Sequence, residues 1–149
     1  MIGRDFLAFA LRCLQGFEEA GPEEADRRSA VSRAYYGAFH EARALLRRCG
    51  ISLPKTEQVH VKLGYCLRDC SDPNAAKAGR QLDTLRAQRK VADYDLDDRR
   101  FASIHAAQTE VARAHRIVET LDLCRSAPTD DFRAKIRSHA RLLGLVVSD

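Results

Sequence analysis

The stretch RSAVSRAYYGAFHEARALL, residues 28–46, decides how the rest of the chain is read. Wound at about 100° per residue, it gathers Val31, Tyr35, Ala38, Ala42, Leu45 and Leu46 into one arc with Phe39 at its edge, the pattern of a helix packed on a core. Arg33 and His40 fall almost in register on the other side, about 20° apart. Beside them stand Ser29, Gly37 and Ala44, all small. A glycine in mid-helix costs about 1 kcal/mol relative to alanine, and water does not demand small side chains. The face therefore reads as one that another helix approaches closely, most simply a second copy of the chain across a two-fold axis around Gly37. The alternative is a tolerated glycine on a mildly polar surface.

Outward from this segment, apolar residues recur at three and four while Gly and Pro fall between the periodic runs, and almost nothing reads as strand. The chain reads as all-α. A first helix is expected from about Arg4 to Glu19, ending at Gly21-Pro22, with Phe6, Phe9, Ala10, Cys13, Leu14 and Phe17 on one side. The second runs from about Pro22 to Cys49, with Gly50 as a left-handed cap. After the loop ISLPK, Thr56 caps a third helix to about Asp69, using Val59, Leu63, Cys66 and Leu67. Ser71-Asp72-Pro73 opens a fourth, to about Asp93, through Ala76, Leu82, Leu85 and Val91. A fifth follows the acidic DYDLDD and carries Phe101, Ile104, Val111, Val118 and Leu121. A last helix is expected from about Thr129 to Leu143. Short loops between long helices favour an antiparallel up-and-down bundle of four to five core helices with an appended C-terminal helix, in one domain spanning residues 1–149.

Composition narrows the function classes. With 45% hydrophobic and 31% charged residues the chain belongs with globular proteins. Its apolar runs are too short to cross a bilayer. MIGRDFLAFALRCLQGF is interrupted by Asp5 and Arg12, so an amphipathic helix is a better reading than a secretory leader. The cysteines number five, an odd count without framework spacing, which favours a reduced, cytoplasmic setting. Cys66 and Cys70 stand one helical turn apart with His60 upstream, but no fourth zinc ligand falls at a recognisable spacing. The net charge of +4 rests mainly on arginine. Guanidinium groups suit an RNA-handling surface, and a GC-rich genome would give the same bias.

SRAYYGAFHEARALL closely resembles the hallmark segment of one branch of the HEPN superfamily, small helical proteins often encoded beside a minimal nucleotidyltransferase. The resemblance extends to Thr56-Glu57-Gln58-Val59-His60 and to Leu85-Arg86 through Arg89 to Ala92-Asp93-Tyr94-Asp95, and covers about Phe6 to Leu121. It implies a helical bundle that usually dimerises and, in many members, cleaves RNA without a metal or other cofactor through an Arg-x4-6-His motif. Arg33 and His40 fit that motif. His40 would move the proton of the ribose 2′-OH or the leaving oxygen, and Arg33 would stabilise charge on the phosphorane.

By chance alone about two such matches are expected, and Arg33/His40, Arg99/His105, Arg100/His105 and Arg133/His139 all qualify. Only the first lies in the recognisable segment; Arg100/His105, beside ADYD, is the second choice. In nuclease branches the motif runs Arg-Asn-x3-His-x-Tyr, and its counterpart here, Arg86 to Tyr94, holds no histidine. Two functions follow from the resemblance. One is a ribonuclease, the toxin or defence half of a two-gene module with a nucleotidyltransferase antitoxin. The other is a catalytically inactive module that binds RNA or that partner, with Tyr36, Arg86, Arg89, Asp93 and Tyr94 as contacts. Arg86, Arg89 and Tyr94 are equally able to cap and pack the fourth helix.

Asp93, Asp95 and Asp97 have part of the spacing of a calcium loop, yet Asp98 stands where Gly is needed and Ile104 where Glu is needed. An acidic turn capping the fifth helix is the expectation. His105 and His115 are expected half-buried on the apolar side of that helix.

Overall fold

A computed structural model of the chain describes residues 1–17, 19–126 and 130–149. The fold is all-α: α1 (Gly3–Gln15), α2 (Glu24–Arg48), α3 (Gln58–Arg68), α4 (Pro73–Tyr94), α5 (Ile104–Ser126) and α6 (Asp130–Leu142). A 3-10 turn at Arg99–Ala102 precedes α5, so Phe101 belongs to that turn and not to the fifth helix. Two short strands, β1 (Ile51–Ser52) and β2 (Val146–Val147), pair antiparallel with Ile51 opposite Val147. Strands of two residues have no alternation to read, which is why ISLPK looks like a plain loop.

The helix ends follow local chemistry. Asp72 accepts a hydrogen bond from the Ala75 amide at 2.9 Å, and Pro73, whose missing N–H costs nothing there, opens α4. Gly50 ends α2 at φ +80°. The first helix stops at Gln15, four residues short of Glu19, because Gly16 turns the chain at φ +78°. Thr56 does not cap α3: the N-cap is Glu57, and no side chain bonds the exposed amides. The expected start of the last helix, Thr129, lies outside the described residues.

The described residues form two compact units, and α2, α4 and α5 contribute residues to both. In the first (residues 1–40 and 82–116), Val31, Ala92, Phe101 and Ala107 make a buried cluster against which Leu14, Val91 and Ala106 pack. Here α2 and α4 run antiparallel: Arg28 bonds to the Asp95 carbonyl, whereas Tyr36, two turns on, meets Arg89. In the second (residues 41–81 and 117–149), α6 packs on α3 and β2, and Leu63, Leu67, Leu121 and Ile136 are buried. Glu41 and Arg125 pair there at 3.0 Å.

The arc expected to be the core side of α2 is buried throughout. The opposite face differs from expectation. Arg33 is exposed, but Gly37 is buried, and His40 and Ala44 are half-buried. A Cβ on Gly37 would lie 2.8 Å from Leu7 Cγ and 3.0 Å from the Gly3 carbonyl oxygen. The small residue admits α1 of the same chain, so a dimer seam centred on Gly37 is corrected to an intrachain helix crossing. The first helix accordingly buries Gly3, Leu7, Ala10 and Cys13 and leaves Phe9 exposed, and Phe17, beyond its end, is exposed as well.

This crossing yields a prediction. Alanine at Gly37 gains about 1 kcal/mol in helix propensity and loses about 1–3 kcal/mol by overpacking Leu7. Gly37→Ala should lower stability by about 1 kcal/mol with no change in oligomeric state, as read by urea unfolding and light scattering. A change of oligomeric state at unchanged stability would restore the seam.

Candidate functional site

Helix periodicity places Ser32, Tyr36 and His40 in an i, i+4 ladder along α2. Across from them α4 presents Arg89 and, one turn later, Asp93. The Arg89 guanidinium donates through Nη2 to the Tyr36 hydroxyl at 2.7 Å, and its Nε stands 2.8 Å from Asp93 Oδ2. That second contact is an ion pair and not an aligned hydrogen bond, since Nε is buried and finds no acceptor in line. Ser32 Oγ donates to the same Asp93 oxygen at 3.2 Å.

The guanidinium also lies over three tyrosine rings, 5.2 Å from the centroid of Tyr36, 5.6 Å from Tyr94 and 5.8 Å from Tyr35. Attraction between a cation and an aromatic face, here largely shielded from water, holds it in place. Burial works against the charge on Arg89, but Tyr36, Asp93, Tyr94 and Tyr35 outweigh it and raise its pKa. Tyr35 is enclosed, and burial pushes its hydroxyl up despite the opposing charges of Arg86 and Arg89. Tyr94 is different: 73% of it is exposed, so its ring offers one face to Arg89 and the rest to solvent.

His40 joins this cluster through its rings. It stacks on Phe6 of α1 at 5.3 Å and on Tyr36 at 6.4 Å, and meets Phe39 edge-on at 5.2 Å. Arg33 lies one turn before Tyr36 and is exposed, with no hydrogen bond or ion pair among the described residues. Seven residues of helix separate Arg33 from His40, a rise of about 10 Å.

Thus Tyr36, Arg89, Asp93 and Tyr94 come together as one constellation, with His40 against it. Arg86 is half-buried one turn before Arg89 and reaches the cluster through its charge on Tyr35. Ser32 and Phe6 were not legible as members. The i, i+4 spacing of Ser32, Tyr36 and His40 was the available signal for Ser32, whereas nothing local marks Phe6.

The second-choice pair does not meet. Arg100 donates to both carboxylate oxygens of Asp98, at 2.9 and 2.8 Å, and to Gln88 at 2.9 Å. His105 is exposed on the first turn of α5, contrary to the half-buried expectation, and no hydrogen bond joins it to Arg100 among the described residues. Asp98 also accepts from the Arg100 amide and so caps the 3-10 turn. These bonds hold the Asp98 carboxyl down to about 2. Its folded value lies below the usual carboxylate value of about 4, so its contribution is present above that pH and fades as the pH falls toward 2. Asp98→Asn should lose less stability than wild type between pH 4 and 2, read by thermal melting across that range. Parallel losses in both proteins would show that the carboxylate does not stabilise the turn.

All five cysteines are buried and free. Burial pushes the Cys66 and Cys124 thiols up to about 12, so they are packed as neutral side chains. Among the described residues no group of three His, Cys, Asp or Glu is arranged to hold a metal ion, and no helix is long and apolar enough to cross a membrane.

Comparison with protein families finds a match to the model of the HEPN domain over residues 4–124. Neither the curated proteins nor the solved structures compared with the chain give a match.

Proposed function

Since the chain belongs to the HEPN domain family, we propose that it is an RNA-binding protein that engages single-stranded RNA at the Tyr94 face of the Tyr36–Arg89–Asp93 cluster. One observation carries this reading. Tyr94 is largely exposed while its ring is backed at 5.6 Å by a guanidinium that Tyr36 and Asp93 hold in place. Such a ring is a ready platform for an unpaired base, and stacking of this kind contributes about 1–3 kcal/mol per base. The exposed cations Arg33 and Lys90, in the same unit, add attraction for the phosphate backbone.

A second reading, metal-independent cleavage by Arg33 and His40, is favoured by the stacking of His40 on Tyr36, which sets an imidazole against the platform. His40 would be the general acid or base and Arg33 the phosphate clamp. In that reading the protein is the toxin or defence half of a module with a nucleotidyltransferase partner, and acts as a homodimer in the cytoplasm.

One experiment separates the readings. A labelled single-stranded RNA pool is mixed with wild type in EDTA, binding is followed by anisotropy and integrity by gel. Tyr94→Ala should weaken binding about 5- to 150-fold, the equivalent of the stacking energy. Intact RNA with that loss supports a binding module. Cleavage abolished in folded His40→Ala and Arg33→Ala supports the nuclease. If Tyr94→Ala binds as wild type does, the platform is not the RNA site.

A further inference from the structure

The second unit holds a concavity that the cluster around Arg89 does not involve. It encloses about 290 Å³ and is lined by Arg43, Arg47 and Lys55, together with Ser52, Leu53 and Ser148. Among the described residues neither a carboxylate nor an aromatic ring lines it, and none of the three cations makes a hydrogen bond or ion pair. Folding does not account for this grouping. Arg47, in the last turn of α2, suits the negative end of the helix dipole. Arg43 is a full turn earlier and Lys55 lies outside any helix, so the dipole places neither. Three like charges in one concavity repel one another unless an anion joins them.

The surroundings select the kind of anion. Phosphate groups are readily met by free backbone amides at a helix N-terminus. Here the adjoining helix end is the C-terminal one, where Gly50 turns the chain at φ +80°, and the Ser148 amide is already given to the Gly50 carbonyl at 2.9 Å. A concentrated double charge is disfavoured beside that negative end, whereas single charges set apart on separate cations cost less. Unpaired bases stack on aromatic faces, and the lining offers none. The concavity is also open, since Arg47, Ser52 and Lys55 are exposed, while small-molecule sites enclose about 70–90% of their ligand. A segment of a larger partner, held also by what flanks it, has no such requirement.

Spacing narrows the choice further. Arg43 and Arg47 stand one turn apart on α2, about 6 Å along its axis. An extended peptide advances about 3.3 Å per residue and turns alternate side chains to one side, so every second residue recurs at about 6.6 Å. Two acids separated by one residue therefore match the two guanidinium groups. We infer that this concavity docks an extended acidic segment of a partner protein, with alternate carboxylates on Arg43 and Arg47 and Lys55 completing the positive wall. Each pairing is a charge-assisted hydrogen bond, and a guanidinium can meet its carboxylate through two donors. Ser52 adds a hydroxyl, and Leu53 an apolar contact for the methylene stems of the acids. The site stands independently of RNA binding at Tyr94, since it shares no residue with that platform.

The test is titration of the full chain with the peptide Gly-Ser-Glu-Ala-Glu-Ser-Gly, followed by amide NMR shifts at Ser52, Lys55 and Ser148. Two controls have the same length, Gly-Ser-Gln-Ala-Gln-Ser-Gly without charge and Gly-Ser-Glu-Glu-Ala-Ser-Gly with adjacent acids, which an extended chain turns to opposite sides. The alternating peptide should bind saturably, the uncharged one not at all, and the adjacent one about fivefold or more weaker. Arg43→Gln and Lys55→Gln should each weaken the alternating peptide by about fivefold or more, with unchanged melting temperature, and Tyr94→Ala should leave it unaltered. Absence of saturable shifts at millimolar peptide, or equal affinity for the two acidic peptides, would overturn the proposal. So would wild-type peptide affinity in both glutamine variants. If those variants keep the peptide and instead weaken a single-stranded RNA, the concavity serves nucleic acid and the proposal falls.

Discussion

Arg28→Met is expected to lose about 3–5 kcal/mol of stability, the cost of breaking a buried, fully bonded charge site. Arg28 is only 7% exposed and lies where α4 ends. Its Nη1 donates to the carbonyls of Val91 at 3.2 Å, Ala92 at 3.3 Å and Asp95 at 2.9 Å. Its Nη2 donates to those of Leu96 at 3.4 Å and Asp98 at 2.7 Å. The last carbonyls of any helix lack intrahelical partners, and here a single side chain from α2 serves several of them. Methionine keeps the stem's volume but removes this donor from the Ala92, Asp95, Leu96 and Asp98 oxygens, at about 1–3 kcal/mol each where water cannot enter, while the Val91 oxygen keeps the Asp95 amide at 3.1 Å. The expected readout is a lower urea midpoint at constant slope, with faster amide exchange from residue 91 to 98. A shift below about 1 kcal/mol would show that water replaces the guanidinium freely. Because the same helix end carries Arg89, Asp93 and Tyr94, RNA binding should weaken with it.

Gly79→Ala should destabilise the second unit by about 2 kcal/mol, lowering the melting temperature by about 4–8 °C for a chain of this size. Glycine is usually the worse helix residue, by about 1 kcal/mol, so the naive expectation is a gain. The contact reverses the sign. A Cβ at Gly79 would lie 2.5 Å from the Arg68 amide nitrogen and 2.8 Å from its Cα. These are backbone atoms of α3, which cannot rotate aside as a side chain would, so the helices must separate. Lys77→Ala, at an exposed position of the same helix, should stay within about 0.5 kcal/mol of wild type. A raised melting temperature in Gly79→Ala would show that α3 and α4 part at little cost.

The two glycines show what can be read from a helix segment and what cannot. Gly37 is conspicuous because its neighbours are small, and a close helix approach follows from that. The approaching helix is α1, not a second copy of α2, and the contact that decides it is with Leu7, 30 residues earlier. Gly79 carries the same meaning but lies in a less patterned helix and gives no such signal. Of the candidate site, Tyr36, Arg89, Asp93 and Tyr94 were legible through the family resemblance of their two segments. Their mutual bonding was not, since Tyr36 and Arg89 are 53 residues apart.

By itself the sequence determined the all-α class, the buried arc of α2, the turn at Gly50, the opening of α4 at Asp72-Pro73 and membership of the HEPN family. These depend on periodicity, caps and short motifs, all properties of residues within a few turns of one another. Tertiary structure alone decided that α1 fills the face at Gly37, that Arg28 closes α4, that Arg100 is committed to Asp98, and that Arg43, Arg47 and Lys55 share one concavity. The periodicity of a helix fixes which side chains share a face, whereas the partner of that face depends on which distant element arrives there, and local pattern carries no information on that.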